Sequence, residues 1–189
     1  AAASVPMSKA LDDALIAYGQ NGEPIRPEQG YPARLFLPGW EGNTSVKWLR
    51  RIEVSDKPFM TREETSKYTE PFANGTSRMF SFRMDARSLI TYPAYPVTLE
   101  HGWVEINGIA WSGAGIIQRV DVSTDGGKTW SAARLQEPVL SLAHTRFRHL
   151  WNWTGGEAVI MSRAVDETGY VQPTRAALLE QRGPGTTGY

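Results

Sequence analysis

The chain has 189 residues, of which 41% are apolar and 21% charged, a composition typical of a folded protein with one large domain or two small ones. Twenty basic and twenty acidic residues give a net charge of +0, so no overall field attracts nucleic acid or an anionic membrane surface. The absence of cysteine excludes disulfides, thiolate metal ligands and a cysteine nucleophile.

The first predicted element is an amphipathic helix at residues 7–18, where apolar residues recur at spacings of three and four. These residues are Met7, Ala10, Leu11, Ala14, Leu15 and Tyr18. Gly19 and the turn-forming pair Asn21-Gly22 follow directly. We therefore expect the helix to end at residue 18.

Two strands are predicted next, RLFLPG at residues 34–39 and SVKWLRRIEV at residues 45–54. Alternation along the second strand would place Val46, Trp48, Ile52 and Val54 on one face, with Lys47, Arg51 and Glu53 on the other. Residues 55–92 are polar and interrupted by prolines and by Asn74-Gly75. This segment indicates a long crossing loop and a domain boundary near residue 92.

After residue 96 the sequence predicts about seven short strands separated by Gly, Pro, Asn and Asp. Six of these stretches are WVEINGIAW, IQRVDVS, WSAARL, HTRFRHLWNW, EAVIMSRAVD and TRAALLEQR, with period-two apolar pairs at Val104 and Ile106, Val120 and Val122, and Phe147 and Trp151. The number and spacing of these strands favour a mainly β fold with a C-terminal immunoglobulin-like sandwich.

Residues 123–130, STDGGKTW, contain the Asp-box pattern S-x-D-x-G-x-x-W of sialidase-type propellers. In such a box the Asp caps the turn amides, Gly supplies positive φ, and Trp packs over the loop. The pattern occurs once, no segment repeats at the propeller period, and no carboxylate pair typical of glycosidases accompanies it. A stable hairpin within the sandwich is therefore favoured over a glycosidase.

Other sites for catalysis or metal binding are few. His144 and His149 lie five apart in a predicted strand and would face opposite ways, which argues against a metal site with His101. Neither a G-x-S-x-G elbow nor a phosphate-binding loop is present, and no apolar run reaches the length of a membrane helix. Arginines near aromatic residues would suit the binding of oxyanions. Each of these arginines taken alone, however, is also explained as a solvent-exposed residue on a strand face. They are Arg34, Arg50, Arg51, Arg146, Arg148 and Arg182.

Several long stretches together resemble the sulfite oxidase family. AYGQNGEPIRPEQGYPARLFLPGWEGNTSVKWLRRIEV is similar to the end of its α+β molybdenum-cofactor domain. INGIAWSGAGIIQRVDVSTDGGKTW, RAVDETGYVQP and LLEQRG are similar to its immunoglobulin-like dimerisation domain. Within the family, PFMTREETSKYTEPF, DARSLIT, LQEPVL and AVDETGYVQPTRA are most similar to SoxC-type sulfane dehydrogenases.

The resemblance implies a two-domain organisation and a chemistry. Residues 1–92 would be the C-terminal part of the molybdopterin-binding domain with the crossing loop, and residues 93–189 a C-terminally truncated dimerisation domain. The family transfers an oxygen atom to sulfur at a molybdenum cofactor and passes the electrons to a cytochrome. The implied partners are a second copy of the chain, a SoxD-like c-type cytochrome subunit and a SoxYZ-like sulfur carrier, all in the periplasm.

The resemblance also assigns site residues. In the family pattern D-H-G-F-P-x-R the His and Arg contact the pterin phosphate, and here EQGYPAR keeps Arg34 and has Gln29 in place of the His. The cofactor-holding S-V-K-W stretch corresponds to Ser45, Val46 and Lys47. The implied catalytic residues are Tyr68, over the molybdenum pocket, and Arg182, in the substrate pocket.

One feature departs from the family pattern. The family binds molybdenum through a cysteine in the first half of the cofactor domain, and this chain has no cysteine. We therefore expect no metal ligand and no molybdenum in this chain alone, with the remainder either removed by truncation or carried by a separate chain. Two function classes stay open, a molybdenum enzyme of sulfur oxidation when full length and a non-enzymatic dimerisation or docking module.

Overall fold

The structure is a computed structural model that describes residues 2–66, 68–72, 74–94 and 97–183. Its backbone contacts divide the described chain into two compact units. Residues 2–83 and 175–183 form the first unit, and residues 84–174 form the second. This division lies before the boundary expected at residue 92, because the strand at residues 87–92 pairs within the second unit.

The first unit contains short elements joined by ordered loops. Its elements are α1 (Met7–Asp12), β1 (Leu15–Ala17), β2 (Gly19–Gln20), β3 (Glu23–Pro24), β4 (Arg34–Phe36), α2 (Arg62–Ser66), β5 (Thr69–Pro71), β6 (Ser77–Met79) and α3 (Arg175–Arg182). The antiparallel pairs are β1 with β4, β2 with β3, and β5 with β6. Two 3-10 turns, at Pro27–Gln29 and Gly42–Thr44, flank β4 and position the candidate site.

Two sequence predictions in this unit are wrong. The helix expected over residues 7–18 ends at Asp12, because Leu15 pairs with Phe36 in the sheet formed by β1 and β4. The strand expected over residues 45–54 does not form. Trp48 adopts a φ of 51°, outside the extended region, and Ile52 and Val54 are 68% and 74% exposed.

The segment predicted as a loop at residues 55–92 holds one helix and three strands, namely α2, β5, β6 and a strand at Arg87–Tyr92. Sequence periodicity missed them because α2 spans five residues and β5 and β6 three each. Such short elements contain too few residues to show a period.

The second unit is a sandwich of seven strands. They are β7 (Arg87–Tyr92), β8 (Gly102–Trp111), β9 (Ile117–Ser123), β10 (Ser131–Ala132), β11 (Arg134–Gln136), β12 (Thr145–Trp153) and β13 (Met161–Asp166). One sheet has the order β11-β12-β8-β7 and the other β10-β9-β13, with antiparallel neighbours throughout. The mainly β fold with an immunoglobulin-like sandwich is confirmed.

The sandwich core follows the predicted alternation. Its buried residues are Ala86, Ile106, Ala110, Ile117, Val120, Val122, Phe147 and Ala164. Val104 is buried as well, and Trp151 packs against the cluster. The period-two pairs were therefore predicted correctly, since in a half-buried sheet alternate residues point to the core.

Two of the predicted strands differ from the structure. WSAARL divides into β10 and β11, which lie in different sheets. TRAALLEQR forms the helix α3 in place of a strand, and Leu178 is its buried residue. The seventh strand of the sandwich is instead β7, from the segment that was predicted as a loop.

The Asp box is a capped hairpin, as the sequence predicts. Asp125 accepts hydrogen bonds from the amides of Lys128 and Thr129, at 3.0 Å each to Oδ1, and from the Thr129 hydroxyl. Trp130 donates from Nε1 to the Gly127 carbonyl at 3.0 Å. Hydrogen bonds from Thr129 and Ser123 hold the pKa of Asp125 well below its usual range. The carboxylate oxygens of Asp125 therefore accept hydrogen bonds from within the turn itself.

Gln172 joins the two sheets of the sandwich. Its Oε1 accepts from the backbone amide and the hydroxyl of Ser88 on β7, each at 2.8 Å, and from the Ala164 amide on β13 at 3.1 Å. One amide oxygen thus connects strands from opposite layers. The contact fixes the position of the sheet edges relative to each other.

Asp166 closes the turn after β13 from a buried position. Its Oδ2 accepts from the Ser112 hydroxyl at 2.7 Å, and Oδ1 accepts from the hydroxyl and amide of Thr168 and the amide of Tyr170. Burial acts to raise the pKa of Asp166, but the hydrogen bonds outweigh it and the pKa lies below its ordinary value.

Replacing Asp166 by alanine should lower the free energy of unfolding by about 3 kcal/mol, because the Ser112 hydroxyl and the Tyr170 amide lose a buried acceptor. The lowered pKa makes this stabilisation present above the unfolded-state pKa of about 4 and lost as the pH falls through the folded-state value. Urea unfolding between neutral and acidic pH measures both effects. Asp56→Ala, at an exposed loop carboxylate, is the control, and equal stability of the two variants would contradict the prediction.

Among the described residues, no helix has the length and apolar character needed to cross a membrane.

Candidate functional site

The predicted cofactor-binding residues meet around the 3-10 turn at Pro27–Gln29. Arg34, on β4, donates from Nη1 to the Gln29 carbonyl at 3.1 Å and from Nη2 to the Ser45 carbonyl at 3.3 Å. Lys47 donates from Nζ to the Glu28 carbonyl at 2.7 Å. The structure therefore brings two cations to one turn.

Gly30 allows Arg34 and Lys47 to pack closely against the turn. Its φ is 115°, and a Cβ placed on it would lie 3.1 Å from the Cβ atoms of both Arg34 and Lys47. A side chain at this position would be strained in backbone conformation and crowded on two sides. Glycine is thus required for the close packing of the turn against β4 and the Ser45–Lys47 segment.

The Ser45–Lys47 segment runs beside β4 without forming a regular strand. The Leu35 amide donates to the Val46 carbonyl at 2.9 Å, and the Leu37 amide donates to the Ser45 hydroxyl at 3.2 Å. Ser45 is buried, so its hydroxyl satisfies a backbone group that water cannot reach. Val46 and Ser45 act as structural supports for Lys47.

The charge of this cluster is not neutralised within the described part of the chain. Both cations donate to neutral carbonyl oxygens, and no ion pair to either is present among the residues that the structure describes. Arg34 also keeps its Nε atom buried and without a partner there. An arginine fork and a lysine with unused donors suit an oxyanion such as a phosphate group.

A cavity of about 330 Å³ lies in the same unit. It is lined by Ala2, Ala3, Asn43, Thr44, Glu63, Glu64, Tyr68, Phe80, Ser81 and Phe82. Thr44 is the sequence neighbour of Ser45, so the cavity wall is adjacent in sequence to the predicted cofactor-binding segment. Tyr68, predicted to be catalytic, is therefore in the cavity wall, close in sequence to the helix α2.

Helix α2 is held by a capping box that the sequence analysis missed. Glu64 Oε2 accepts from the Thr61 amide at 3.0 Å and the Thr61 hydroxyl at 2.9 Å, in the T-x-x-E pattern at the start of α2. Glu64 also accepts from the amide and hydroxyl of Ser4. The Tyr68 amide donates to the Glu63 carbonyl at 3.1 Å, which ties Tyr68 to this helix.

Arg182 does not line the cavity in the part of the chain that the structure describes. It lies in the last turn of α3, half-buried, and Gly183 ends the helix with a φ of 86° and a hydrogen bond to the Leu179 carbonyl. Helix α3 belongs to the first unit, so Arg182 shares a unit with Arg34 and Tyr68. The assignment of Arg182 to the substrate pocket stays a prediction.

Sequence reasoning missed Trp48, Asn43 and Ser81. Trp48 donates from Nε1 to the Pro27 carbonyl at 3.0 Å and so holds the same turn as Arg34 and Lys47. Its place within the S-V-K-W motif was a usable signal. Asn43 lies in a short 3-10 turn and Ser81 in an irregular segment, and neither carried a sequence signal.

In the part of the chain that the structure describes, the histidines and carboxylates do not form a metal site. His101 packs edge-on against Trp153, and His144 against Trp111. Within the described ranges, no group of three or more His, Cys, Asp or Glu residues could hold a metal ion.

Family comparison matches both parts of the chain. A model described as the oxidoreductase molybdopterin binding domain matches residues 1–63. A model described as the Mo-co oxidoreductase dimerisation domain matches residues 78–183.

Whole-chain comparisons agree with these models. The chain is 34% identical to mitochondrial sulfite oxidase of Homo sapiens and to sulfite oxidase of Gallus gallus, over 93% of its own length and 35% and 42% of theirs. The crystal structure of the sulfane dehydrogenase SoxCD from Paracoccus pantotrophus superposes with a TM-score of 0.93 at 52% identity, covering 97% of this chain and 48% of that one. The chain thus spans less than half the length of each relative.

Proposed function

The chain belongs to the sulfite oxidase family of molybdenum-cofactor oxidoreductases, and on that premise we propose that it is part of a sulfane dehydrogenase that oxidises sulfur by oxygen-atom transfer. The observation that carries the proposal is the 52% identity to the SoxCD chain over 97% of this chain. The identity to the curated sulfite oxidases is 34% over a similar span. The difference favours sulfane dehydrogenase over sulfite oxidase as the activity.

Arg34 and Lys47, which together form a cation cluster at the Pro27–Gln29 turn, suit the cofactor of this family. Arg34 and Lys47 would hold the pterin phosphate, with Gln29 as an additional hydrogen-bond donor and Ser45 and Val46 supporting the segment. The unpartnered Arg34 Nε supports this assignment, because a buried guanidinium N–H without a partner is costly unless a ligand accepts from it. The molybdenum cofactor, when bound in the complete enzyme, supplies oxygen-atom transfer and accepts the electrons of the sulfur.

The catalytic residues are assigned by position and chemistry. Tyr68 lines the cavity, where its phenol can donate a hydrogen bond to a substrate oxygen or sulfur. Arg182 is assigned to the anionic product or substrate, since its guanidinium matches paired oxygens. For Arg182 to reach that ligand, the end of α3 must lie at the cavity when substrate is bound.

The proposed substrate is a sulfane sulfur carried on a SoxYZ-like protein, with sulfite as the alternative. Each oxygen atom added to sulfur consumes one water and releases two protons and two electrons, so an electron acceptor is required. We propose a SoxD-like c-type cytochrome subunit as that acceptor, a homodimer formed through the sandwich, and a periplasmic location. The similarity to the sulfane dehydrogenase SoxCD supports the SoxD-like subunit, and the match to a dimerisation domain supports the homodimer.

In the complete enzyme, Arg182→Met should reduce kcat/KM about tenfold, the equivalent of one charge-assisted hydrogen bond of about 1.5 kcal/mol. Molybdenum content should remain at the wild-type value, because Arg182 is outside the cation cluster. Steady-state kinetics with metal analysis measure both quantities. Arg175→Met, at the exposed start of the same helix, is the control. A kcat/KM equal to that of the wild type in Arg182→Met would contradict the assignment of Arg182 to the substrate site.

The proposed function is tested by assaying the complete protein for molybdenum and for cytochrome c reduction with a peptide persulfide or with sulfite. Faster turnover of the persulfide supports the sulfane dehydrogenase, and faster turnover of sulfite assigns the chain to a sulfite oxidase. A complete protein without molybdenum or turnover would instead support a non-enzymatic dimerisation or docking module.

A further inference from the structure

Two polar atoms at the cavity wall have no hydrogen-bond partner among the described residues. They are Oδ1 of Asn43 and Oγ of Ser81, both shielded from solvent. Both residues line the cavity of about 330 Å³ that contains Tyr68. A buried polar atom without a partner costs about 1–3 kcal/mol, so its retention calls for a cause other than stability.

Backbone contacts hold the two residues in place without using their side chains. The Glu41 amide donates to the Phe82 carbonyl at 2.8 Å, and the rings of Trp40 and Phe82 stack at 4.3 Å. Asn43 follows Glu41 in a 3-10 turn, and Ser81 precedes Phe82. Asn43 and Ser81 are therefore preorganised on neighbouring segments, with their side-chain oxygens left for a ligand.

The cavity lining determines which ligand fits. The described residues that line it include the aromatic Phe80 and Phe82 beside the unpartnered oxygens of Asn43 and Ser81. Neutral groups that donate and accept hydrogen bonds against aromatic side chains suit this lining. A peptide group has one N–H and one C=O, and so can pair with both oxygens.

We propose that Asn43 and Ser81 bind the backbone of the peptide that carries the substrate sulfur, Asn43 Oδ1 accepting from a peptide N–H and Ser81 Oγ donating to a peptide carbonyl. The cavity has room for roughly ten water volumes, enough for one residue and its flanking peptide groups. The inference rests on the proposed function and deepens it. The pair selects peptide-borne sulfur over free sulfite.

The test uses the complete, molybdenum-loaded enzyme with Ser81→Ala and Asn43→Ala, and Ser8→Ala on the exposed face of α1 as the control. The substrates are the blocked tripeptide Ala-Cys-Ala as its persulfide, and sulfite. In each cavity variant the KM for the peptide should rise about tenfold, with kcat within about twofold and the KM for sulfite unchanged. The melting temperature should stay equal or rise, because each substitution removes an unsatisfied polar atom.

Binding of the unreactive S-methyl tripeptide, measured by calorimetry, gives a second readout that needs no turnover. It should weaken about tenfold in both cavity variants and remain unchanged in Ser8→Ala. An unchanged Kd and KM for the peptide, equal losses for both substrates, or a lower melting temperature would overturn the inference. Failure of the proposed function is seen separately, in a wild-type enzyme that binds the S-methyl peptide but turns over no sulfur substrate.

Discussion

In the complete enzyme, Arg34→Met should bind the molybdenum cofactor about a hundredfold more weakly than wild type. Arg34 donates to two carbonyls that shape the turn and the Ser45–Lys47 segment, and its unpartnered Nε points to a third acceptor. A hydrogen bond from a charged group contributes about 1.5–3 kcal/mol, and the loss of one from Nε to the pterin phosphate, at the upper end of this range, accounts for this factor. Molybdenum and pterin content after gel filtration measure it, and activity per bound molybdenum should stay near wild type.

Two further variants separate charge from geometry at Arg34. Arg34→Lys keeps the charge but loses the planar fork, and should retain an intermediate cofactor content. Arg26→Met removes an exposed arginine whose carbonyl, not its side chain, holds the same turn, and should retain full content. Full molybdenum content in Arg34→Met would refute the assignment of the cation cluster to the cofactor.

Gly108→Ala should destabilise the sandwich by about 3 kcal/mol or more. Gly108 is opposite Phe147 in the pairing of β8 with β12, and a Cβ on it would lie 2.2 Å from Phe147 Cζ and 2.4 Å from the Leu89 carbonyl oxygen. Phe147 is fully buried, and the Leu89 carbonyl belongs to the paired strand β7. Neither can move without breaking core packing or sheet hydrogen bonds, and overpacking of this kind is costly. Urea unfolding measures the effect.

A double mutant tests the cause of that destabilisation. Phe147→Leu alone should destabilise by creating a cavity, but with Gly108→Ala it should recover part of the loss by removing the ring that clashes. Gly42→Ala is the matched control, because a Cβ there meets no atom within 4 Å. Strictly additive losses in the double mutant would show that the Phe147 contact is not the origin.

The parts of the fold that could be predicted are those with long periodic strands. β8, β9 and β12 span seven to ten residues, and their apolar alternation located them and their core faces. The local sequence pattern gave wrong predictions where the contacts that decide the element come from residues distant in sequence. Leu15 continues a helical spacing, yet its pairing with Phe36 makes it a strand, and Arg175–Arg182 forms a helix although a strand was predicted.

The candidate site was predictable to the extent that its residues lie in continuous motifs. Arg34, Ser45 and Lys47 came from two such motifs, and the structure brings them to one turn. Asn43 and Ser81 are 38 positions apart by their numbers and sit in a short 3-10 turn and an irregular segment. The hydrogen bond between Glu41 and Phe82 brings them to one cavity, and no local sequence pattern predicts that contact.

The sequence by itself determined the class of the protein, the strand faces of the sandwich, the capped Asp-box hairpin and the cationic character of the segment proposed to hold the cofactor. Each of these depends on interactions between residues near in sequence or on a long motif. Only the tertiary structure decided where β1, β7 and α3 belong and which side-chain oxygens share a cavity. Those features depend on contacts between distant segments, whose free energy outweighs the small intrinsic preference of any short stretch.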